Sequence, residues 1–272
     1  MESTMARLAA RVRVPLLILV TLTLVGQLPF GYDVPWWVAG PALLGAFALY
    51  AWVGRVCAEP LPVEPPVRGS WRAVNSPASR VPSHGLHAYG QTYAIDLVFA
   101  SPAGAPAPGS GFARRASDFP GFGQPILAAA PGRVVRVRQG QRDHRSRTGL
   151  AGLAYLLVEG MFRELLGAGR VVGNHIVVDL GAGRYALYAH LKRHSASVRA
   201  GDVVEAGQEI ARCGNSGNSS EPHLHFQIMD RPSPTFAAGL PFRFVAGGAA
   251  VGTPRTGELL TDAPPAPSTL LA

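Results

Sequence analysis

The sequence has little cysteine and almost no lysine. Its two cysteines, Cys57 and Cys213, lie far apart, so the chain can build neither a disulfide framework nor a Cys-x-x-Cys metal clip. A metal site would therefore need histidine and carboxylate ligands. Lys192 is the single lysine among 25 Lys and Arg residues, which leaves arginine to carry the net charge of +8.

That basic charge restricts the class of partner. A basic surface suits nucleic acid, anionic lipid or an anionic cell-wall polymer. The chain shows no strip of mixed basic and aromatic residues of the kind that binds nucleic acid, so we expect no nucleic-acid partner. Nothing in the sequence indicates a protein partner.

Long apolar runs occur near the N-terminus, at about 14–31 and 34–54. The second run has the length that a helix needs to cross a bilayer, and Trp36, Trp37 and Trp52 lie near its ends as interfacial anchors would. We predict that residues 1–57 form a membrane anchor of one or two transmembrane helices. A cleaved signal peptide is the alternative, but no small-x-small cleavage site follows the first run.

The orientation of this anchor stays open. Arginines before the first run favour a cytoplasmic N-terminus, and two complete spans would then return the chain to the cytoplasm. Either the N-terminus lies outside despite its charge, or only one of the two runs crosses the membrane.

The rest of the chain alternates short β-like runs with glycine-rich turns, which predicts an all-β domain over 83–245. Apolar residues at helical spacing over 148–170 predict a helical insertion in that domain. Residues 58–82 are proline-rich and are predicted to be a linker. We predict a flexible tail over 246–272.

Several histidines and one aspartate have contexts that suit metal or acid–base chemistry. His223 and His225 are one residue apart in a strand-like run, so their side chains share one face, and neutral imidazole is the commonest zinc ligand. Asp96 lies within an apolar strand, where a carboxylate is costly unless it is paired or bound to metal. Further candidates are His190, with Tyr188 two residues before it, and upstream of Asp96 the pair His84 and His87.

In order along the chain come GQPILAAAPGRVV, GNHIVVDLG, YALYAHL and VRAGDVVEAGQEIARCGNSGNSSEPHLHF. Over about 84–230 this succession resembles the lysostaphin/LytM-type zinc metalloendopeptidases, which cut peptide bridges in bacterial peptidoglycan. The resemblance implies a mostly antiparallel β-fold with a groove floored by the sheet and an extracytoplasmic location. It further implies that Asp96 and His225 bind zinc and that His190 and His223 are catalytic.

The first metal ligand departs from the family pattern, because Thr92 stands where that ligand is usual. The ligand must then come from His84, which we prefer, or from His87. If neither histidine reached the metal, the chain would resemble the degenerate members that bind and activate other wall hydrolases. Tyr188 and Asn174 are lesser candidates for substrate contact.

Overall fold

The computed structural model describes residues 2–31, 33–101 and 113–261. The helices are α1 (Glu2–Phe30), α2 (Trp36–Trp52), α3 (Gly149–Leu165) and α4 (Ala168–Val171), with short 3-10 turns at Ala88–Tyr93, Ala116–Asp118 and Pro234–Phe236. The strands are β1 (Leu61–Val63), β2 (Ser70–Val74), β3 (Ile95–Phe99), β4 (Pro125–Leu127), β5 (Gly132–Arg138), β6 (His175–Asp179), β7 (Tyr185–Ala189), β8 (Val203–Val204), β9 (Glu209–Arg212), β10 (Leu224–Met229), β11 (Gly239–Leu240), β12 (Phe242–Ala246), β13 (Ala249–Ala250) and β14 (Leu259–Thr261).

The main sheet has nine strands in the order β14-β2-β3-β10-β7-β6-β5-β8, with β11 also paired to β10. Its strand pairs are antiparallel. A three-stranded sheet, β1-β12-β13, contains one parallel pair, and β4 pairs with β9. The prediction of an all-β, mostly antiparallel fold with a helical insertion is confirmed, since α3 and all but the last residue of α4 lie within 148–170.

Strand β10 shows how the sheet separates a core face from a site face. Leu224, Phe226 and Ile228 are fully buried in the main hydrophobic core, which also contains Trp71 and Tyr188. Because side chains alternate along a strand, His225 and Gln227 point to the opposite face. The central strands therefore support an apolar core on one side and a cluster of polar groups on the other.

The N-terminal helices pack against each other and against the β-domain. Residues Ser3–Gln27 of α1 are long and apolar enough to cross a membrane, whereas α2 has 17 residues. The guanidinium of Arg13 is fully buried and donates to the carbonyls of Val53 and Ala237 at 3.0 Å each, and Arg7 pairs with Asp230 at 3.2 Å. The start of α1 is thus attached to the β-domain.

The structure differs from the predicted linker and tail. Residues 61–63 and 70–74 form β1 and β2, and Trp71 of β2 is fully buried. Residues 259–261 form β14, which pairs with β2 at the edge of the main sheet. Strands of three to five residues between prolines leave little periodic signal, which explains the difference. Residues 102–112, and residues 262–272 of the predicted tail, lie outside the described residues.

Candidate metal centre

Three of the predicted ligands meet on the site face of the sheet. Asp96 of β3 and His225 of β10 are register partners, and His225 Nδ1 lies 2.9 Å from Asp96 Oδ1. His84, from the loop before β3, places its Nε2 2.9 Å from Asp96 Oδ2. One ligand atom from each residue lies within 4.8 Å of the others. Two imidazoles that converge on one carboxylate suit a shared divalent cation, and His and Asp are ordinary zinc ligands.

Asp96 is ionised in this setting. Burial by itself would raise the pKa of its carboxyl group, but the charges of His84 and His223 and the hydrogen bonds from His225 and His84 outweigh that effect. The pKa of Asp96 is therefore well below its usual value. Asn75 adds a hydrogen bond from its Nδ2 to Asp96 Oδ2 at 3.0 Å.

The ring nitrogen of each candidate histidine ligand that faces away from Asp96 also has a hydrogen-bond partner. Ser83 Oγ lies 3.0 Å from His84 Nδ1. His225 Nε2 lies 2.8 Å from Gln227 Oε1, and Gln227 Nε2 donates to the Tyr89 carbonyl at 2.8 Å. Burial lowers the pKa of His225, but the hydrogen bond and charge of Asp96 and the hydrogen bond of Gln227 raise it overall. Such partners fix the tautomer and orientation of a ligating imidazole.

His190 and His223 form a second pair beside the ligands, with ring centroids 4.8 Å apart. His190 Nδ1 lies 2.8 Å from the Ser216 carbonyl, and His223 Nδ1 lies 2.8 Å from the Glu221 carbonyl. A carbonyl only accepts, so Nδ1 carries the proton in both rings and a neutral ring keeps its lone pair on Nε2. His223 Nε2 lies 3.7 Å from Asp96 Oδ1.

Burial and neighbouring charges determine the protonation state of His190. Burial lowers the pKa of His190 most, the neighbouring His223 and His225 lower it further, and Asp96 opposes them. The pKa of His190 is therefore well below its usual value, and the ring is neutral at neutral pH.

Backbone conformation explains why His190 reaches the site and Tyr188 does not. Strand β7 ends at Ala189, and His190 has a φ of +60°, which turns its side chain out of the strand alternation. Tyr188 stays on the core face, fully buried, and its hydroxyl accepts the Ala129 N–H at 2.8 Å. Tyr188 therefore lies in the core and does not share a face with His190, contrary to the alternation expected from the sequence.

The side-chain amide of Asn174 is hydrogen-bonded inside the protein. Its Nδ2 donates to the carbonyls of Gln141 and Leu191, and its Oδ1 accepts the Gln141 N–H at 2.8 Å. Because both ends of this fully buried amide are used inside the protein, Asn174 closes a turn and has no free group for substrate.

His87 is directed away from the ligand cluster. Its Nδ1 lies 3.0 Å from Thr92 Oγ1, and its backbone N–H donates to the Ala51 carbonyl of α2 at 3.2 Å. Burial, followed by the charges of Arg13 and Arg55, lowers the pKa of His87 to about 4. The structure therefore brings His84, and not His87, to Asp96 and His225.

The site opens into a cleft between the sheet and α3, lined by Leu156 and Leu157 as well as by the histidines. Two polar residues of this site were missed in the sequence. Gln227 lies two residues after His225 and so on the same strand face, a signal that the sequence contained. Asn75 carried no such signal, because it lies in the segment predicted to be a linker.

The β-domain thus brings together a His–Asp–His cluster and two adjoining histidines, which are the side-chain types that a metal-dependent hydrolase uses as ligands and acid–base groups. Residues 158–236 match the model described as Peptidase family M23. This match confirms, over that segment, the resemblance seen in the sequence. The matched segment includes His190, His223 and His225, whereas His84 and Asp96 precede it.

Two curated relatives illustrate the similarity. The chain is 40% identical over 77 residues to lysostaphin of Staphylococcus simulans, which is 26% of this chain and 15% of that protein. It is 35% identical over 71 residues to the peptidoglycan DD-endopeptidase ShyB of Vibrio cholerae, 25% of this chain and 16% of that protein. The matched region thus spans about one-sixth of the length of these relatives.

Solved structures also align with the chain. The catalytic domain of lysostaphin from Staphylococcus simulans is 22% identical, with 58% of this chain and 78% of that chain covered and a TM-score of 0.32. A zinc-containing peptidase from Vibrio cholerae is 22% identical, with 66% and 38% covered and a TM-score of 0.31.

Proposed function

We propose that the chain is a membrane-anchored zinc endopeptidase that hydrolyses peptide bonds in peptidoglycan stem or bridge peptides. The observation that carries this proposal is the convergence of His84 and His225 on Asp96, with His190 and His223 beside them. The family match and the two peptidoglycan-directed relatives support the substrate class.

His84, Asp96 and His225 would hold the zinc. A zinc ion bound by three such ligands lowers the pKa of a bound water to about 7 and polarises a carbonyl. The protein's contribution is a preset geometry: Ser83 holds His84, Asn75 holds the carboxylate, and Gln227 holds His225. Side chains held in this way need little rearrangement when the site is loaded.

His190 and His223 have different roles: His223 transfers a proton and His190 accepts a hydrogen bond. His223 Nε2 lies 3.7 Å from Asp96 Oδ1, so we assign His223 the transfer of the proton from the attacking water to the leaving amine. His190 stays neutral, and its Nε2 accepts a hydrogen bond that orients the water or a substrate N–H. The carbonyls of Ser216 and Glu221 hold the two rings in the tautomer that leaves Nε2 free.

We further propose that α1 and α2 enter the membrane as a hairpin and that the domain is extracytoplasmic. The start of α1 is attached to the β-domain through Arg7 and Arg13, so the N-terminus and the domain lie on the same side of a bilayer that holds the hairpin tip. Both arginines are engaged by protein groups, which weakens their effect on orientation as free charges. Residues 1–57 remain the proposed anchor and 83–245 the proposed peptidase-like domain.

Digestion of purified peptidoglycan by the full chain in proteoliposomes tests this function. We expect new peptide amino termini, identified by mass spectrometry, from the wild type and none from His223→Ala, although the variant keeps its metal. A wild-type chain that binds metal and peptidoglycan but releases no peptide would instead be a wall-binding or hydrolase-activating module.

Orientation has a separate test. In a Cys57→Ser background, Val203→Cys places a thiol on an exposed strand of the β-domain, whereas Cys213 is fully buried. We expect a membrane-impermeant reagent to label position 203 in intact cells. Labelling only after lysis would place the domain in the cytoplasm and remove peptidoglycan as a substrate.

A further inference from the structure

Helix α3 packs with the reverse of the usual amphipathic pattern. Small and polar residues face the β-domain: a Cβ at Gly160 would lie 3.2 Å from the Asn218 side chain, and a Cβ at Gly152 would collide with the backbone of Arg147. Large apolar residues face outward and are 49–89% exposed: Leu150, Tyr155, Val158, Met161, Phe162 and Leu166. A surface helix in water normally buries its apolar face.

Ion pairs fix this orientation. Glu159, on the inward face of α3, pairs with Arg147, whose side chain is 5% exposed, and with Arg163 at 3.0 Å. Arg147 also lies over the ring of Tyr155, with its guanidinium carbon 5.0 Å from the ring centroid. Rotating α3 to bury its apolar side would break the pair between Glu159 and Arg147 and leave the buried Arg147 guanidinium without its carboxylate. The outward apolar face is therefore a fixed feature of the fold.

The same helix adjoins the base of the α1–α2 hairpin. The Tyr50 hydroxyl of α2 donates to Glu164 Oε1 of α3 at 3.2 Å. Ala168 of α4 belongs to one buried cluster with Val14 of α1 and Ala51 of α2. Because α1 and α2 also expose apolar side chains beyond this junction, the outward face of α3 continues the apolar surface of the anchor.

A basic cavity lies at the C-terminal end of α3. Four arginines line it together with Gln139, Gly140, Gln141 and Asn174: Arg138, Arg142, Arg163 and Arg170. Among the described residues no carboxylate lines this cavity, although Arg163 also pairs with Glu159. Arginine forks match phosphate oxygens, and basic groups next to an apolar helical face suit an anionic membrane surface.

We propose that α3 is a membrane-surface helix that lies in the headgroup region of an anionic bilayer. Its outward apolar side chains enter the acyl boundary, and the arginine cavity binds lipid phosphate groups. The occupant is the lipid surface, because the apolar face is continuous with the hairpin and the adjoining cavity has the complementary charge.

One consequence concerns the metal centre and rests on the proposed function. Leu156 and Leu157 of the same helix line the cleft of the candidate site. If α3 lies on the bilayer, the cleft is held at the membrane surface, so the substrate would be wall peptide close to the membrane. The lipid contact itself is independent of catalysis, and its test uses no activity.

Fluorescence quenching in proteoliposomes tests the lipid contact on the full chain. In the Cys57→Ser background, a fluorophore is attached at Met161→Cys on α3 or, as the matched control, at exposed Val203→Cys on β8. We expect doxyl-labelled lipids to quench the label at 161, a shallow doxyl group more than a deep one, and to leave the label at 203 unquenched. A quenching at 161 no stronger than that at 203 would overturn the proposal.

Disulfide cross-linking and the reactivity of Cys213 are measured on the same variants. A disulfide-linked dimer through unlabelled Met161→Cys, together with absent quenching, would mean that a second copy of the chain covers α3, which also overturns the proposal. Protection of buried Cys213 from thiol reagents confirms that each variant is folded.

The arginine cavity is tested by lipid composition. We expect stronger quenching at 161 in vesicles that contain phosphatidylglycerol than in pure phosphatidylcholine, and we expect Arg138→Gln with Arg170→Gln to abolish that difference. The control pair Arg199→Gln with Arg243→Gln, exposed elsewhere on the domain, should leave it unchanged. Equal quenching of the wild type in both lipids would contradict the role of the cavity.

Discussion

His84 Nε2 lies 2.9 Å from Asp96 Oδ2, although the two residues are twelve positions apart in the chain. The loop between them folds back because the Ser83 N–H donates to the Thr92 carbonyl at 3.1 Å, and Tyr89 and Gly90 adopt positive φ values of 59° and 72°. A longer loop thus returns a histidine to the carboxylate. The residue four positions before Asp96, Thr92, instead contacts the side chain of His87.

The choice of first ligand can be tested by metal affinity. We expect His84→Ala to weaken zinc binding by at least about 10-fold, because one of three ligands is lost. His87→Ala is the matched control and should keep the affinity of the wild type, measured by competition with a chelating dye. If His87→Ala lost zinc affinity and His84→Ala kept it, the first ligand would be His87 instead.

Separate roles for His190 and His223 predict different kinetic defects. We expect His223→Gln to lower kcat by about 100-fold or more with unchanged metal content, because proton transfer is lost. His190→Gln keeps a hydrogen-bond acceptor and should reduce kcat less. The measurement is the pH profile of kcat for cleavage of a peptidoglycan peptide. If both variants lost activity equally and kept the same profile, the two roles would not be distinct.

Gln227 is expected to act as a positioning residue through His225. Replacing it with alanine removes the acceptor for His225 Nε2, and we expect zinc affinity to fall by about 10-fold to 100-fold. Gln227→Glu retains an acceptor oxygen and should restore most of the affinity. A purely structural role would lower the melting temperature without this recovery of zinc affinity.

Buried His175 makes the stability of the domain depend on pH. Burial lowers the pKa of its imidazole to about 4, against about 6.5 in an unfolded chain. Below pH 6.5 the unfolded state binds the extra proton, so stability falls as pH decreases from about 6.5 to about 4, by at most about 3 kcal/mol from this group. We expect His175→Gln to flatten that slope in denaturant unfolding at pH 5 and pH 7. An unchanged slope would show that His175 does not titrate between the two states.

The sequence predicted the elements whose signals are local. Strand alternation places His223 and His225 on one face, and the cost of a carboxylate in an apolar strand marks Asp96. The helix over 148–170 follows from its apolar spacing. Strands β1, β2 and β14 were missed because β1 and β14 pair with strands far along the chain, and short strands next to prolines show no clear alternation of apolar and polar residues.

Other features depend on conformations that composition does not encode. The positive φ of His190 breaks the alternation that would have placed Tyr188 beside it. Helical periodicity identified α3 but not which face it would bury, because that choice is set by the ion pair between Glu159 and Arg147, which lies outside the helix. Contacts of Asn75 with Asp96 arise only when β2 joins the sheet.

The most direct test of the central claim compares His225→Ala with His223→Ala in the full chain, with zinc content and peptidoglycan cleavage measured on the same preparations. We expect about one zinc per wild-type chain, joint loss of zinc and cleavage in His225→Ala, and loss of cleavage alone in His223→Ala. Full zinc content and full cleavage in both variants would contradict the assignment of these two histidines.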